Sequence, residues 1–337
     1  MLKAPAAAIA AATAAFVATP TFAEEVNVYS YRQPDLIKPM TDAFTAETGI
    51  DVNVVFLKKG LVERLKAEGD LSPADLIFTV DISRLLSAKA AGVTQPVTSA
   101  DLDANVPEAF RDEEDHWYGL TARARIVYAS KERVAADEVT SYEDLADPKW
   151  KGRICTRSGT HAYTLGLLGA VVAKHGEEAA EAWMSGVKAN LARKPEGNDR
   201  AQVKAIWAGT CDISLGNNYY MVAMLKNEEQ KAWADSVTIA FPAFEGGGTH
   251  MNISGVAMTK AAPNKAAALK MMEWLSSDTA QNLYAEINGE YPVKPGVEPS
   301  ELVKSFGEFE ADDTPLGAIG AARPVALKIA ERIDFDG

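Results

Sequence analysis

The sequence predicts an α/β protein of two lobes joined by two extended crossovers, a hinged clamshell whose cleft lies where strand C-termini face each other. Three observations predict it. The first third alternates strand and helix as βαβαβα, which calls for a parallel sheet covered by helices. A second series of strand–loop–helix units follows from about residue 150. Two long extended segments, one leaving the first series near Thr121 and one in Phe244–Asn252, carry the chain across and back.

Element by element, Val26–Ser30 alternates and is β-branched, as a strand should be. Leu36, Ile37, Met40 and Phe44 recur at helical spacing up to Gly49. Val52–Phe56 is a second strand, and Gly60 leads into an amphipathic helix over Leu61–Glu68. Asp75–Val80 is almost continuously apolar, the pattern of a strand buried on both faces, and a helix follows over Ile82–Ala91. An acidic, Pro-containing linker, Thr98–Asp115, precedes a long strand, Gly119–Ser130, that contains Arg123 and Arg125. A short strand at Ile154 leads through Ser158-Gly159-Thr160 into helices over Ala162–Lys174 and Glu177–Leu191, with another over Arg200–Ala208. Cys211–Leu215 reads as a strand, Met221–Ala234 as a helix, and Val237–Phe241 and Ile253–Thr259 as strands around Gly246-Gly247-Gly248. Helix closes the chain from Lys265 to about Ala285 and again from Leu316.

Composition narrows the function. With 337 residues, 47% hydrophobic and 24% charged, the chain has the make-up of a globular protein rather than a disordered one. Lys and Arg number 34 against 47 Asp and Glu, a net charge of −13 that disfavours nucleic acid and anionic lipid as partners. Lys3, the apolar stretch Ala6–Val17 and Thr21-Phe22-Ala23 have the form of a secretory signal peptide over residues 1–23, so export without membrane insertion is expected. An oxidising compartment favours pairing of Cys155 with Cys211, although their spacing alone allows either outcome.

Familiar catalytic signatures are missing: no Walker A loop, G-x-G-x-x-G, H-E-x-x-H or G-x-S-x-G occurs. A binding protein is therefore favoured over an enzyme. The unusual feature is Asn217-Asn218-Tyr219-Tyr220, between a strand end and a helix start. Alone, this pair reads first as core packing, because buried rings are common. Tyr163 shifts the balance, since it opens another helix after the strand that carries Cys155. A disulfide would make the two strand–loop–helix units neighbours, because its Cα atoms lie only ~4.4–6.8 Å apart. Three phenols could then meet. Phenol ionises near pH ~10, so three phenolates at neutral pH need a strong positive charge. Fe³⁺, a hard acid suited to anionic oxygen, supplies it and leaves coordination positions for a small anion. That anion could be held by the amides of Ser158, Gly159 and Thr160 and by Arg123, with Arg125 the spare. A polyamine- or sugar-binding protein, with the rings stacking on the ligand, is the rival reading.

These residues give the chain a recognisable likeness. It resembles the periplasmic ferric-iron-binding proteins of bacterial ABC importers, the FbpA/FutA group of the type II solute-binding fold. The resemblance covers essentially the whole mature chain, through Val28–Gln33, Ser72–Asp75, Gly119–Arg125, Trp150–Ile154, Ser158–Tyr163 and Asn217–Tyr220. It implies that Tyr163, Tyr219 and Tyr220 coordinate Fe³⁺, that Ser158, Gly159, Thr160 and Arg123 hold carbonate or another synergistic anion, and that a monomer docks on an inner-membrane permease. Where many relatives carry a histidine ligand, this chain has Gln33 and Pro34, so the N-terminal lobe is expected to contribute only supporting groups, Tyr31 or Gln33. On that fold the N-terminal lobe is expected over 24–121 plus about 250–300, and the other over 122–249 plus about 301–337.

Overall fold

A computed structural model describes residues 24–337; the signal-peptide expectation for 1–23 lies outside the described residues. The first third is the expected alternation: β1 (Glu25–Ser30), α1 (Pro34–Thr48), β2 (Asp51–Phe56), α2 (Leu61–Glu68), β3 (Leu76–Thr79) and α3 (Ile82–Ala90). Gly49 ends α1 in the left-handed conformation, at φ 74°, its amide bonded back to the Thr45 carbonyl. β1 pairs in parallel with both β2 and β3. The linker is not wholly irregular. It holds a short helix, α4 (Ala100–Asn105), because the Ser99 side chain caps it by accepting from the Leu102 amide.

β4 (Tyr118–Ser130) is buried along its whole length and organises the molecule. Its first half pairs with β8 (Met251–Met258), which also pairs with β3; its second half pairs with β6 (Ile213–Asn217) and β7 (Val237–Ala240). β5 (Ile154–Cys155) adds to β6, and β9 (Tyr291–Pro292) adds to β4, giving the order β2-β1-β3-β8-β4-β6-β5 in a nine-stranded sheet. The first expected crossover is β4; the second, expected over 244–252, falls instead on β8, which shares only Met251 and Asn252 with that segment and lies antiparallel beside β4. Between them run α5 (Ala162–Ala189), α6 (Asp199–Trp207), α7 (Tyr219–Leu225) and α8 (Lys231–Asp235); α9 (Lys265–Leu275), α10 (Asp278–Leu283), α11 (Glu301–Lys304) and α12 (Leu316–Arg332) follow. Gly176, at φ 85°, breaks α5 where two helices were expected. α12 packs along α5 and also meets α3.

Candidate metal centre

Two strand–loop–helix units build the centre. β5 and β6 are parallel neighbours, with Cys155 opposite Ser214, and the buried Cys155–Cys211 disulfide is formed with Cα atoms 5.8 Å apart. The pairing that the sequence left open is therefore made. Tyr163 lies in the first turn of α5, whose N-cap is His161, its ring nitrogen accepting from the Tyr163 amide. Tyr219 and Tyr220 open α7. Asn218, just before them, is buried; its side-chain oxygen accepts from the Ala124 amide and its NH₂ donates to the Gly289 carbonyl. Those bonds fix the start of α7 against β4 and the segment before β9.

As a result the phenol oxygens of Tyr163 and Tyr219 are 3.2 Å apart, and the Tyr219 and Tyr220 rings lie 4.3 Å apart between centroids. All three phenols are half-buried and line one cavity of about 450 Å³. Burial, then the neighbouring Tyr163 and Tyr220, push the Tyr219 phenol well above its ordinary pKa, against the opposing Arg123 charge. Tyr220 is raised too, by burial, Tyr163 and Asp199. Without a cation Tyr219 and Tyr220 stay protonated.

Guanidinium groups surround the rings. Arg157 lies over Tyr163 at 5.2 Å from the ring centre and Arg123 over Tyr219 at 5.9 Å. Arg123 is already engaged: it donates to the Val80 carbonyl and pairs with Glu290 at 3.0 Å. Arg32 grips the other Glu290 oxygen at 2.5 Å. Burial alone would raise the Glu290 carboxyl, but these two cations override it and hold it below the usual carboxylate range. Behind Tyr163, the buried Asp199 lies 3.5 Å from both Arg125 and Arg157. Arg125 bonds Asn217 at 3.2 Å and does not line the cavity.

The loop expected to hold an anion is differently occupied. The Gly159 amide donates to Asp336 at 2.7 Å, and the Ser158 hydroxyl donates to the same carboxylate at 2.5 Å. The Thr160 amide donates to the Ser158 hydroxyl oxygen. Phe335 packs so closely that a Cβ on Gly159 would come within 2.6 Å of its ring. These amides are thus not bare, because the chain brings its own carboxylate to them. Of the supporting groups, Tyr31 and Gln33 both line the cavity. The Tyr31 hydroxyl accepts from the Leu61 amide, and Arg84 stacks on its ring at 3.9 Å.

Sequence reasoning missed Arg32, Arg157, Arg200, Lys226 and Glu290, all of which line the cavity. Arg32 lay inside a motif it had singled out, without a role. Glu290 meets Arg32 across 258 positions, which no local pattern signals.

Known proteins resemble this chain over most of its length. Residues 72–305 match the family model for bacterial extracellular solute-binding proteins. Iron uptake protein A1 of Synechocystis is 46% identical over 92% of this chain and 87% of its own length. The apo ferric ion-binding protein A of Pasteurella haemolytica superposes with a TM-score of 0.90 at 51% identity, over 94% of this chain and 99% of that one. A Trichodesmium protein (IdiA, FutA) in complex with iron and citrate ligands gives 0.88 at 42% identity, over 92% and 99%. This chain belongs to the bacterial extracellular solute-binding proteins, within the group of the ferric-iron-binding proteins.

Proposed function

We propose that this chain is the Fe³⁺-capturing component of an ABC iron importer, with Tyr163, Tyr219 and Tyr220 as the ligands. The observation that carries the reading is the convergence of three phenols on one cavity, two of their oxygens 3.2 Å apart. Neutral phenols are poor ligands. Fe³⁺ displaces their protons and is left formally neutral by three phenolates, with positions open for an anion.

The anion lies toward Arg157, Arg200 and Lys226 rather than in the loop at Ser158, Gly159 and Thr160. Asp336 holds that loop and Glu290 holds Arg123, whereas Arg200 and Lys226 have no carboxylate partner among the described residues. A cavity of about 450 Å³ exceeds what iron with carbonate needs and falls within the range for small organic ligands. Carbonate or a small carboxylate such as citrate fits that setting, and the Trichodesmium relative was solved with iron and citrate.

The lobes run over 24–121 plus about 250–300 and over 122–249 plus about 301–337; pairing of β4 first with β8 and then with β6, and packing of α12 along α5, support this division. They rotate about β4 and β8, and the closed monomer docks on a permease from the periplasm. No helix among the described residues is long and apolar enough to cross a membrane. No catalytic step is assigned, as the relatives are binding proteins.

Adding Fe³⁺ and bicarbonate to metal-free protein should produce a visible phenolate-to-iron charge-transfer band that dithionite abolishes. Tyr219→Phe and Tyr220→Phe should each weaken binding by more than the ~10–100-fold of a lost outer-shell partner. A colourless protein, or full affinity in both variants, would refute the ligand assignment.

A further inference from the structure

A larger cavity, about 1000 Å³, opens between α3, residues 108–117 and the segment 311–319 that runs into α12. It shares no residue with the tyrosine cavity. Leu86, Phe110 and Leu316 give it apolar walls. Among its polar lining side chains, Trp117 at 3% exposure and His250 at 2% are more than nine-tenths buried, as is Asp112 at 7%, which is paired with Lys89. Among the described residues, neither Trp117 Nε1 nor His250 Nδ1 has a hydrogen-bond partner. A buried donor without an acceptor is costly, so each such group calls for a complement. The indole N–H can only donate. His250 is held neutral, pushed down to about 4 by burial and Arg125, so its ring pairs one donor with one acceptor.

The mouth has the opposite character. Lys89 is bound by Asp112 and Glu114, and Arg111 by Asp103, so its cations are already neutralised from within. Glu113 and Asp313 are exposed at the rim; among the described residues, the one cation paired with either is Lys174, 3.9 Å from Asp313. A chamber with apolar walls, an unmet donor and a surplus of acidic side chains in its lining selects by all three properties together.

We propose that this cavity is a second ligand site, which takes a small organic cation. Its apolar body lies against Leu86, Phe110 and Leu316, a hydroxyl oxygen meets Trp117 and His250, and its ammonium faces Glu113 and Asp313. The site is independent of the iron reading, since no tyrosine ligand takes part.

Tyramine is the probe, with phenethylamine as the analogue lacking the hydroxyl and 3-(4-hydroxyphenyl)propionate as the analogue with reversed charge. Metal-free ¹⁵N-labelled full-length protein is titrated while the indole N–H signals are followed, that of Trp117 being assigned by its loss in Trp117→Phe. Tyramine should shift this signal at millimolar concentration or below. Phenethylamine should bind roughly five- to tenfold more weakly, the equivalent of one net hydrogen bond, and the propionate more weakly still. The double variant Glu113→Gln/Asp313→Asn, confined to exposed side chains, should erase the preference for the cation. An unmoved Trp117 signal overturns the site. Equal binding of all three compounds, or a cation preference that survives the double variant, overturns the ligand class.

Discussion

Glu290 anchors a network that joins its own segment to three others. Its carboxylate accepts from Arg32, which follows β1, from Arg123 on β4 and from Thr121, while Ser254 of β8 bonds both arginines. Two guanidiniums and one carboxylate are thus desolvated together, which is tolerable only while each is paired. Glu290→Gln leaves both cations buried with no anion and should cost roughly 3 kcal/mol, the lower end for breaking a buried pair. Chemical denaturation of the metal-free protein measures it, and an unchanged midpoint would show that the network contributes nothing. The tyrosines were legible in the sequence because each sits at a strand-to-helix junction, a position with a local signature. Glu290, Arg157 and Arg200 were not, because a charged residue in an acidic chain looks like any other until tertiary approach gives it a neighbour.

At the scale of elements, helix starts and ends followed local chemistry closely, and the departures have identifiable causes. The helix expected over Met221–Ala234 is broken into α7 and α8. Asn227 breaks it: its side-chain oxygen accepts from the amides of Glu229 and Gln230, so the turn it forms competes with helix. Similarly, β6 begins two residues later than expected and reaches Asn217, because pairing with β4 rather than β-propensity sets its limits. The disulfide matters most here, since it joins the segments that lead to Tyr163 and to the Tyr219-Tyr220 pair. It closes a loop over a sequence separation of 56. Replacing both cysteines by serine should therefore cost about 4 kcal/mol of stability by chain entropy. A melting temperature unaltered by the double substitution would mean that strand pairing alone holds β5 to β6. Iron affinity should also fall as the two helix starts lose their mutual constraint, an effect that titration at constant pH can separate from global unfolding.

For the whole molecule, the proposed ligand set couples cargo retention to acidity. Burial raises Tyr219 and Tyr220, so in the metal-free state both bind a proton throughout the neutral range. Iron binding must release protons, and binding that releases protons strengthens as pH rises and weakens as pH falls. With three phenols ionising, the logarithm of the affinity should rise by up to about three for each pH unit, measured against a chelator of known pH dependence. A pH-independent affinity would mean that the phenols do not ionise on binding. The two-lobed architecture was readable from the alternation of strands and helices. The positive lining of the cavity, within a chain of net charge −13, became visible only once the sheet brought Arg32, Arg123 and Arg157 to one place.

The seat of Asp336 on the loop before α5 has a practical corollary at the bench. An affinity handle appended after Gly337 would tug on the neighbour of a carboxylate that steadies Ser158 and Gly159, five and four positions ahead of Tyr163. Purification sequences therefore belong ahead of Glu24. A preparation carrying such a handle that retains iron less firmly would report the disturbed Asp336 contact rather than the strength of the tyrosine site.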